Sequence, residues 1–299
     1  MEPVTVYTPC YNGARYLRRS LPALFAQTLP PAEILVVDDG STDGSAELAR
    51  ELGRGAPVPV RVLAQPANRG LGAARNRAVR EARTPLVAAV DADVVAEPGW
   101  LAALVAELDD PSVHGAGGDL RELYQQGLAN RWRATHMRQS WGDARLEGVP
   151  FLYGANHVYR RETLLEVGLF DERCRTNGED VDLGRRLLEK GRRLVYTPAA
   201  VCHHLRRDTL PSLLDTYWRW RFYGNRRDLS LAWTLKQNRG NFRWWPEHLR
   251  ADLSAREFGN LAVDLLVPFY RTWRDWKALL ASGTAGRARI SASVRPRVE

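Results

Sequence analysis

The stretch Ile34-Leu35-Val36-Val37-Asp38-Asp39-Gly40-Ser41-Thr42-Asp43 decides how this chain is read. Its four apolar residues follow one another without a polar break. A surface strand alternates, so this run predicts a strand buried on both faces. Two acids close it, and Ser41, Thr42 and Asp43 supply cap-type side chains before the helical Ala46-Glu47-Leu48-Ala49. Upstream, Val4 to Thr8 is a short β-branched run, closed by Pro9 and the turn-prone Asn12-Gly13. Leu17, Leu21, Leu24 and Phe25 then recur at helical spacing. Downstream, residues 58–63, 71–82 and 86–90 read as strand, helix and strand. This alternation from residue 4 to residue 91 predicts an α/β fold, with a mostly parallel central sheet flanked by helices.

In such sheets ligands gather beyond the carboxyl ends of the strands. Asp38-Asp39 and Asp91-Ala92-Asp93 both fall at such ends, and Pro9-Cys10-Tyr11 follows the first strand onto the same rim. Asp91 and Asp93 are hard oxygen donors suited to Mg²⁺ or Mn²⁺, ions that share their shell with substrate phosphates. Asp39, or Asp38 in its place, can accept a hydrogen bond from the ring N–H of a pyrimidine. Asn68-Arg69-Gly70-Leu71-Gly72-Ala73-Ala74-Arg75 joins a flexible loop to a helix start. There Arg75 offers a donor fork to phosphate or ribose. A third acidic pair, Glu179-Asp180, opens a helix after Asn177-Gly178, and one of its carboxylates could take a proton from an acceptor hydroxyl. His203-His204 ends a short strand, where parity lets only one imidazole face the metal or diphosphate. Read together, these stations suit the transfer of a sugar from an activated nucleotide.

The second half is more mixed. Residues 100–108, 122–141, 162–167 and 179–190 read as helices, and 113–117, 151–159, 194–196 and 200–204 as strands or extended segments. From Leu210 an amphipathic helix begins. The stripe Phe258, Leu261, Leu265, Phe269, Trp273, Trp276 and Leu280 continues the helical pattern, with Pro268 expected to start a second helix. From Ser282 the Gly/Ala/Arg/Ser-rich tail is expected to be disordered.

The 299 residues can bury a full core, and the three cysteines lie too far apart for a disulfide framework or a zinc knuckle. No run approaches the roughly 18 uninterrupted apolar residues of a membrane span. Met1-Glu2-Pro3 leads straight into strand-like sequence, so a cytoplasmic protein is expected. The net charge of +8 gathers in an Arg/Trp-rich region beyond Arg206. Such a surface could meet phosphates or an anionic membrane face. The acidic stations and the lack of a nucleic-acid module argue against nucleic acid.

The ordered set Thr8-Pro9-Cys10-Tyr11-Asn12, Val37 to Asp43, Gly72-Ala73-Ala74-Arg75-Asn76, Asp91-Ala92-Asp93, Gly154-Ala155-Asn156, Val167 to Glu172, Glu179-Asp180-Val181-Asp182-Leu183 and Pro198 to His204 resembles family 2 glycosyltransferases of the GT-A fold. The resemblance implies an inverting transferase using a nucleotide-diphosphate sugar and Mg²⁺ or Mn²⁺. It implies that Pro9 and Tyr11 line the nucleoside pocket and that Asp39 reads the base. Asp91, Ala92 and Asp93 would hold ribose and metal, with Asp93 the direct ligand and His204 favoured over His203. Asp180 would be the base with Glu179 beside it, and Gly154, Ala155 and Asn156 the acceptor-side wall. It divides the chain into a catalytic domain at 1–206, with nucleotide-sugar (1–97) and acceptor-side (98–206) halves, a helical extension at 207–281 and a tail at 282–299. The acceptor would be a glycan or a lipid-linked molecule; the Trp/Arg-rich region beyond Arg206 lies outside these motifs and could either make peripheral membrane contact around a lipid-linked acceptor or simply pack on the core, the reading favoured here. Two other readings remain: a sugar-1-phosphate nucleotidyltransferase, for which the loop Asn12-Gly13-Ala14-Arg15 is short of glycine and lysine, and a non-catalytic nucleotide-sugar-binding protein.

Overall fold

A computed structural model describes residues 2–224 and 229–284. Residue contacts divide the chain into two compact units. The first comprises Met1–Tyr124 and Arg138–Arg206, and the second Gln125–Met137 with everything from Arg207.

The first unit opens with the alternation expected: β1 (Val4–Cys10), α1 (Ala14–Phe25), β2 (Glu33–Asp38), α2 (Ser45–Gly53), β3 (Val60–Ala64), α3 (Leu71–Glu81) and β4 (Leu86–Val90). It continues with β5 (Val94–Ala96), α4 (Trp100–Ala106) and β6 (Val113–Glu122). After α5 (Leu128–His136), which belongs to the second unit, come β7 (Leu146–Glu147), β8 (Asn156–Arg160), α6 (Arg161–Glu166), α7 (Glu179–Glu189) and β9 (Arg193–His204). The strands form one sheet in the order β3-β2-β1-β4-β8-β6-β9-β5, with β7 on β9. From β3 to β4 every pairing is parallel, while β8 runs antiparallel to both of its neighbours and β6–β9 is parallel again. The parallel character read from the sequence thus belongs to the first half, and the second half is mixed.

Every residue of β1, β2 and β4 is buried, and their side chains alternate between two cores. Val6, Ile34, Val36 and Ala88 pack with Leu17, Leu21 and Leu24 of α1 on one face. Tyr7, Leu35, Val37 and Val87 pack with Ala74, Ala78 and Val79 of α3 on the other. Burial on both faces is why Ile34 to Val37 and Leu86 to Val90 are unbroken apolar runs.

Three local readings need correction. The helix expected over 122–141 is only α5, because β6 runs on to Glu122 and pairs Arg121 with His203 and Glu122 with His204. Gly118 makes that continuation possible: a Cβ there would lie 2.0 Å from the Ala200 carbonyl oxygen. The two short strands expected after residue 193 are one strand, β9, whose register against β6 shifts between Gly117 and Asp119. Third, the 125–137 segment groups with the C-terminal helices and not with the acceptor-side half.

The second unit adds α8 (Leu210–Gly224), α9 (Leu231–Arg243), α10 (Trp245–Ala255) and α11 (Phe258–Thr284) to α5. Trp132, Met137, Leu213, Tyr217, Val263 and Val267 form its apolar core. Pro268 does not start a new helix but lies inside α11. Asp264, Val267, Arg271 and Asp275 are all buried at helical spacing on both sides of it, and this tertiary packing outweighs the lost backbone hydrogen bond. Residues 282–284 continue α11, and the rest of the tail, 285–299, lies outside the described residues.

Candidate active site

The carboxyl ends of β1, β2 and β4 are neighbours, with Cys10 paired to Asp38 and Tyr7 to Ala89. Asp39 follows β2 directly and is buried. Its Oδ1 accepts hydrogen bonds from Gln65 Nε2 (2.7 Å) and the Arg69 N–H (2.8 Å), and its Oδ2 from the Gly70 N–H (2.8 Å). Burial pushes this carboxyl up while the two backbone N–H groups pull it back down. Asp39 therefore pins the 65–70 loop to the end of β2, and its Oδ2 keeps spare acceptor capacity. Asp38 accepts from the Ser41 N–H, and its buried Oδ1 has no partner. Asn12 ties the first rim to the second: its N–H donates to Ser41 Oγ and its Oδ1 accepts from the Thr42 N–H, both at 2.9 Å. Pro9 is buried within β1, whereas the Tyr11 side chain is exposed.

Asp91 begins the turn after β4, and its Oδ1 accepts from Arg75 Nη2 at 2.9 Å. Two residues on, Asp93 Oδ2 lies 3.3 Å from His204 Nε2. The other nitrogen of that ring, Nδ1, is 3.2 Å from Glu122 Oε2. His203, the neighbouring residue on β9, faces Glu97 instead, 2.8 Å from its Oε1. Strand alternation thus sends one imidazole to Asp93 and the other away from it, so His203 stands apart from the metal-type residues. Ala92 is buried between the two acids. Burial raises the Asp91 carboxyl, Arg75 opposes that and the nearby Asp93 charge adds to it. A carboxylate and an imidazole with donors 3.3 Å apart suit adjacent positions on one Mg²⁺ or Mn²⁺ ion with bonds of about 2.1 Å, while Asp91 is held by Arg75.

Glu179 and Asp180 open α7. Glu179 is buried, with Oε1 3.3 Å from Arg75 Nε and Oε2 without a partner. Asp180 is partly exposed; its Oδ2 accepts from the Gly154 N–H (3.1 Å) and its Oδ1 from the Val181 N–H (2.8 Å). Burial, and next the neighbouring Asp180 charge, push Glu179 up to about 7 despite Arg75. Asp180 is raised by burial against the pull of the Gly154 and Val181 N–H groups.

Arg75 joins these stations. The sequence suggests that it reaches a phosphate or ribose, but its side chain is 1% exposed and spans Asp91 and Glu179. Residue 154 must be glycine for this: a Cβ there would lie 2.8 Å from Arg75 Nη2 and 3.1 Å from Glu179 Oε1. The rest of the expected acceptor wall turns inward. Ala155 packs in the core. Asn156 is fully buried, accepting from Trp100 Nε1 (2.7 Å) and donating to the Asp119 and Ala200 carbonyls (3.0 Å each). Its amide is spent on holding β6, β8 and β9 together.

The family model for glycosyl transferase family 2 matches residues 5–168, more than half of the chain. The chain belongs to that family. Its relatives include the pre-mycofactocin glycosyltransferase of Mycobacterium tuberculosis, 34% identical over 74% of this chain and 46% of the relative. The chain thus spans about half the length of that relative. The N-acetylglucosaminyl-diphospho-decaprenol L-rhamnosyltransferase of M. tuberculosis is 32% identical over 68% of this chain and 75% of its own. Among solved structures, the mannosyltransferase PcManGT of Pyrobaculum calidifontis, in complex with GDP-Man and Mn²⁺, matches with a TM-score of 0.54 and 22% identity over 97% of this chain and 78% of that one. At that identity the match shows the GT-A fold alone.

Several residues of the candidate site in this family 2 chain carry no signal in the sequence. Glu122 lies in a polar stretch that reads as helix, and Gln65 in an unremarked loop; only the β6–β9 pairing and the folded 65–70 loop give them their roles. Tyr7 and His157 share a buried hydrogen bond of 3.2 Å on the Arg75 side of the sheet. Burial, and then the Arg75 charge, push His157 down to about 3, so its ring is neutral.

Proposed function

We propose that this site transfers a sugar from a nucleotide-diphosphate donor to a hydroxyl acceptor with inversion, using Asp180 as the general base. The observation that carries the reading is the buried Arg75, which ties Asp91 at the end of β4 to Glu179 at the start of α7. Residues nearly ninety positions apart thereby share one cluster. Asp180, the more exposed acid of its pair, takes the acceptor proton while the acceptor oxygen bonds to the anomeric carbon and the sugar–diphosphate bond breaks. Its raised proton affinity suits that task. Glu179 is buried against Arg75 and acts by holding it. Pro9, Tyr11 and Asp39 receive the nucleoside. Asp93 and His204, with Asp91 beside them, would hold Mg²⁺ or Mn²⁺. When bound, that ion supplies positive charge to the departing diphosphate.

The acceptor in this reading is a glycan or lipid-linked molecule met at the cytoplasmic face of a membrane, as in cell-surface polysaccharide or glycolipid synthesis. Two observations support it. One relative is named for a decaprenol-linked substrate. On α11, Phe258, Leu265, Phe269, Trp273 and Leu280 form an exposed apolar stripe, with Lys277 over the Trp273 ring. Such a stripe suits lying on a bilayer rather than crossing it, and no helix among the described residues is long and apolar enough to cross.

The direct test is donor turnover with and without Mn²⁺, beside a thermal-shift series of nucleoside diphosphates. Asp180→Asn should lose turnover and keep nucleotide binding. Full turnover in that variant would overturn the assignment of the base.

A further inference from the structure

The core of the second unit holds a cluster that sugar transfer does not use. His136 comes from α5, His248 and Asp252 from α10 one helical turn apart, and Asp264 from α11. One donor atom from each of His136, His248 and Asp264 lies within 4.8 Å of the others. Asp252 adjoins this group through His136, its Oδ2 2.8 Å from His136 Nε2. Both aspartates are completely buried.

The hydrogen bonds around the cluster are arranged as around ligands. Asp264 Oδ1 accepts from Trp132 Nε1 at 2.8 Å, which leaves Oδ2 buried without a partner. Asp252 Oδ1 accepts from Asn260 Nδ2 at 3.1 Å, which leaves Oδ2 to His136. Asp252 thus has one oxygen pinned by Asn260 and the other on His136, while the Asp264 oxygen that Trp132 holds is also the one nearest His248. His248 Nδ1 is likewise buried without a hydrogen-bond partner, 3.8 Å from Asp264 Oδ1. The two imidazoles lie face to face, with ring centroids 4.3 Å apart. Two imidazolium ions would repel at that distance, whereas neutral rings are the form that binds metals.

A buried carboxylate oxygen and a buried ring nitrogen left unpaired in one cluster are costly. We propose that His136, His248, Asp252 and Asp264 form a structural binding site for a divalent transition metal, zinc foremost, which clamps α5, α10 and α11 together. Two imidazoles and two monodentate carboxylates are a donor set that zinc takes in tetrahedral geometry. The proton now shared between His136 and Asp252 would leave as the metal enters. Trp132 and Asn260 are the outer residues that orient the carboxylates.

The test measures metal in the full chain. Protein stripped with chelator is titrated with Zn²⁺ and, separately, with Co²⁺, whose visible absorption reports tetrahedral coordination. Asp93→Asn carries the same measurement with the sugar-transfer metal residue removed. We expect one equivalent of Zn²⁺ to bind and raise the Tm, and an intense Co²⁺ band that persists in Asp93→Asn. The band should vanish in His248→Gln, a change at the least buried ligand. Trp132→Phe should keep the band and weaken zinc affinity by about 10–100-fold. A Co²⁺ band unchanged in His248→Gln, or no zinc bound in Asp93→Asn, would overturn the proposal. Circular dichroism of each variant separates loss of metal from loss of fold.

Discussion

Arg75 Nε lies 3.3 Å from Glu179 Oε1, and Nη2 of the same side chain lies 2.9 Å from Asp91 Oδ1. One buried cation therefore balances two carboxylates from elements remote in sequence. Removing one partner of a buried pair leaves a charge with neither water nor counterion. Arg75→Met should lower stability by about 3–5 kcal/mol, read as a fall in denaturant midpoint. Well above pH 7, where Glu179 is driven to ionise, adding Glu179→Gln to it should restore part of the loss, because one of the stranded charges is then gone.

Glu179 links that charge balance to pH. Its folded carboxyl is pushed up to about 7, above an ordinary glutamate. Between the unfolded and folded values the native state holds a proton that the unfolded chain has released, so stability falls as pH rises from about 4.5 to 7. The contribution is on the order of 3 kcal/mol for this buried group. Chemical denaturation across that window should show a steeper decline in the wild type than in Glu179→Gln. Parallel profiles would refute the linkage.

Asp180 must be ionised to take a proton, and burial raises its carboxyl above an ordinary aspartate. The acid limb of turnover should therefore lie above the usual aspartate range of about 3.9. In Asp180→Asn, turnover should drop by about 10²–10⁴, with donor affinity little changed by calorimetry.

Glu122 accepts from one nitrogen of His204 and so directs the other toward Asp93. Glu122→Gln should weaken Mn²⁺ binding by about 10–100-fold. Nitrogen NMR of His204 should also show a changed tautomer balance, which a purely structural residue would not alter.

Gln65 and the 69–70 backbone hold Asp39 in place. Gln65→Leu removes one of these donors, and nucleoside diphosphate binding should weaken by roughly tenfold, the worth of about 1.4 kcal/mol. Unchanged binding by thermal shift would mean that the loop backbone alone suffices.

The first half of the fold was readable because its strands are buried on both faces. Ile34 to Val37 and Leu86 to Val90 advertise that burial in composition, and the acids that end them fall where ligands bind in such sheets. The second half was less legible. Glu122 looks helical by its neighbours, yet its backbone finds its partner on β9, eighty residues away. Pro268 looks like a helix start, yet buried neighbours on both sides carry α11 through it. In both cases a long-range contact outweighs local preference.

By itself, the order of residues determined the α/β alternation, the family and the three acidic stations, because each leaves a local mark of periodicity or spacing. Tertiary structure decided the rest: that Arg75 serves carboxylates rather than phosphate, that Asn156 faces inward, and that His204 rather than His203 meets Asp93. Those outcomes depend on which strand lies beside which and on what each buried polar atom finds within reach. Only the folded chain specifies those distances.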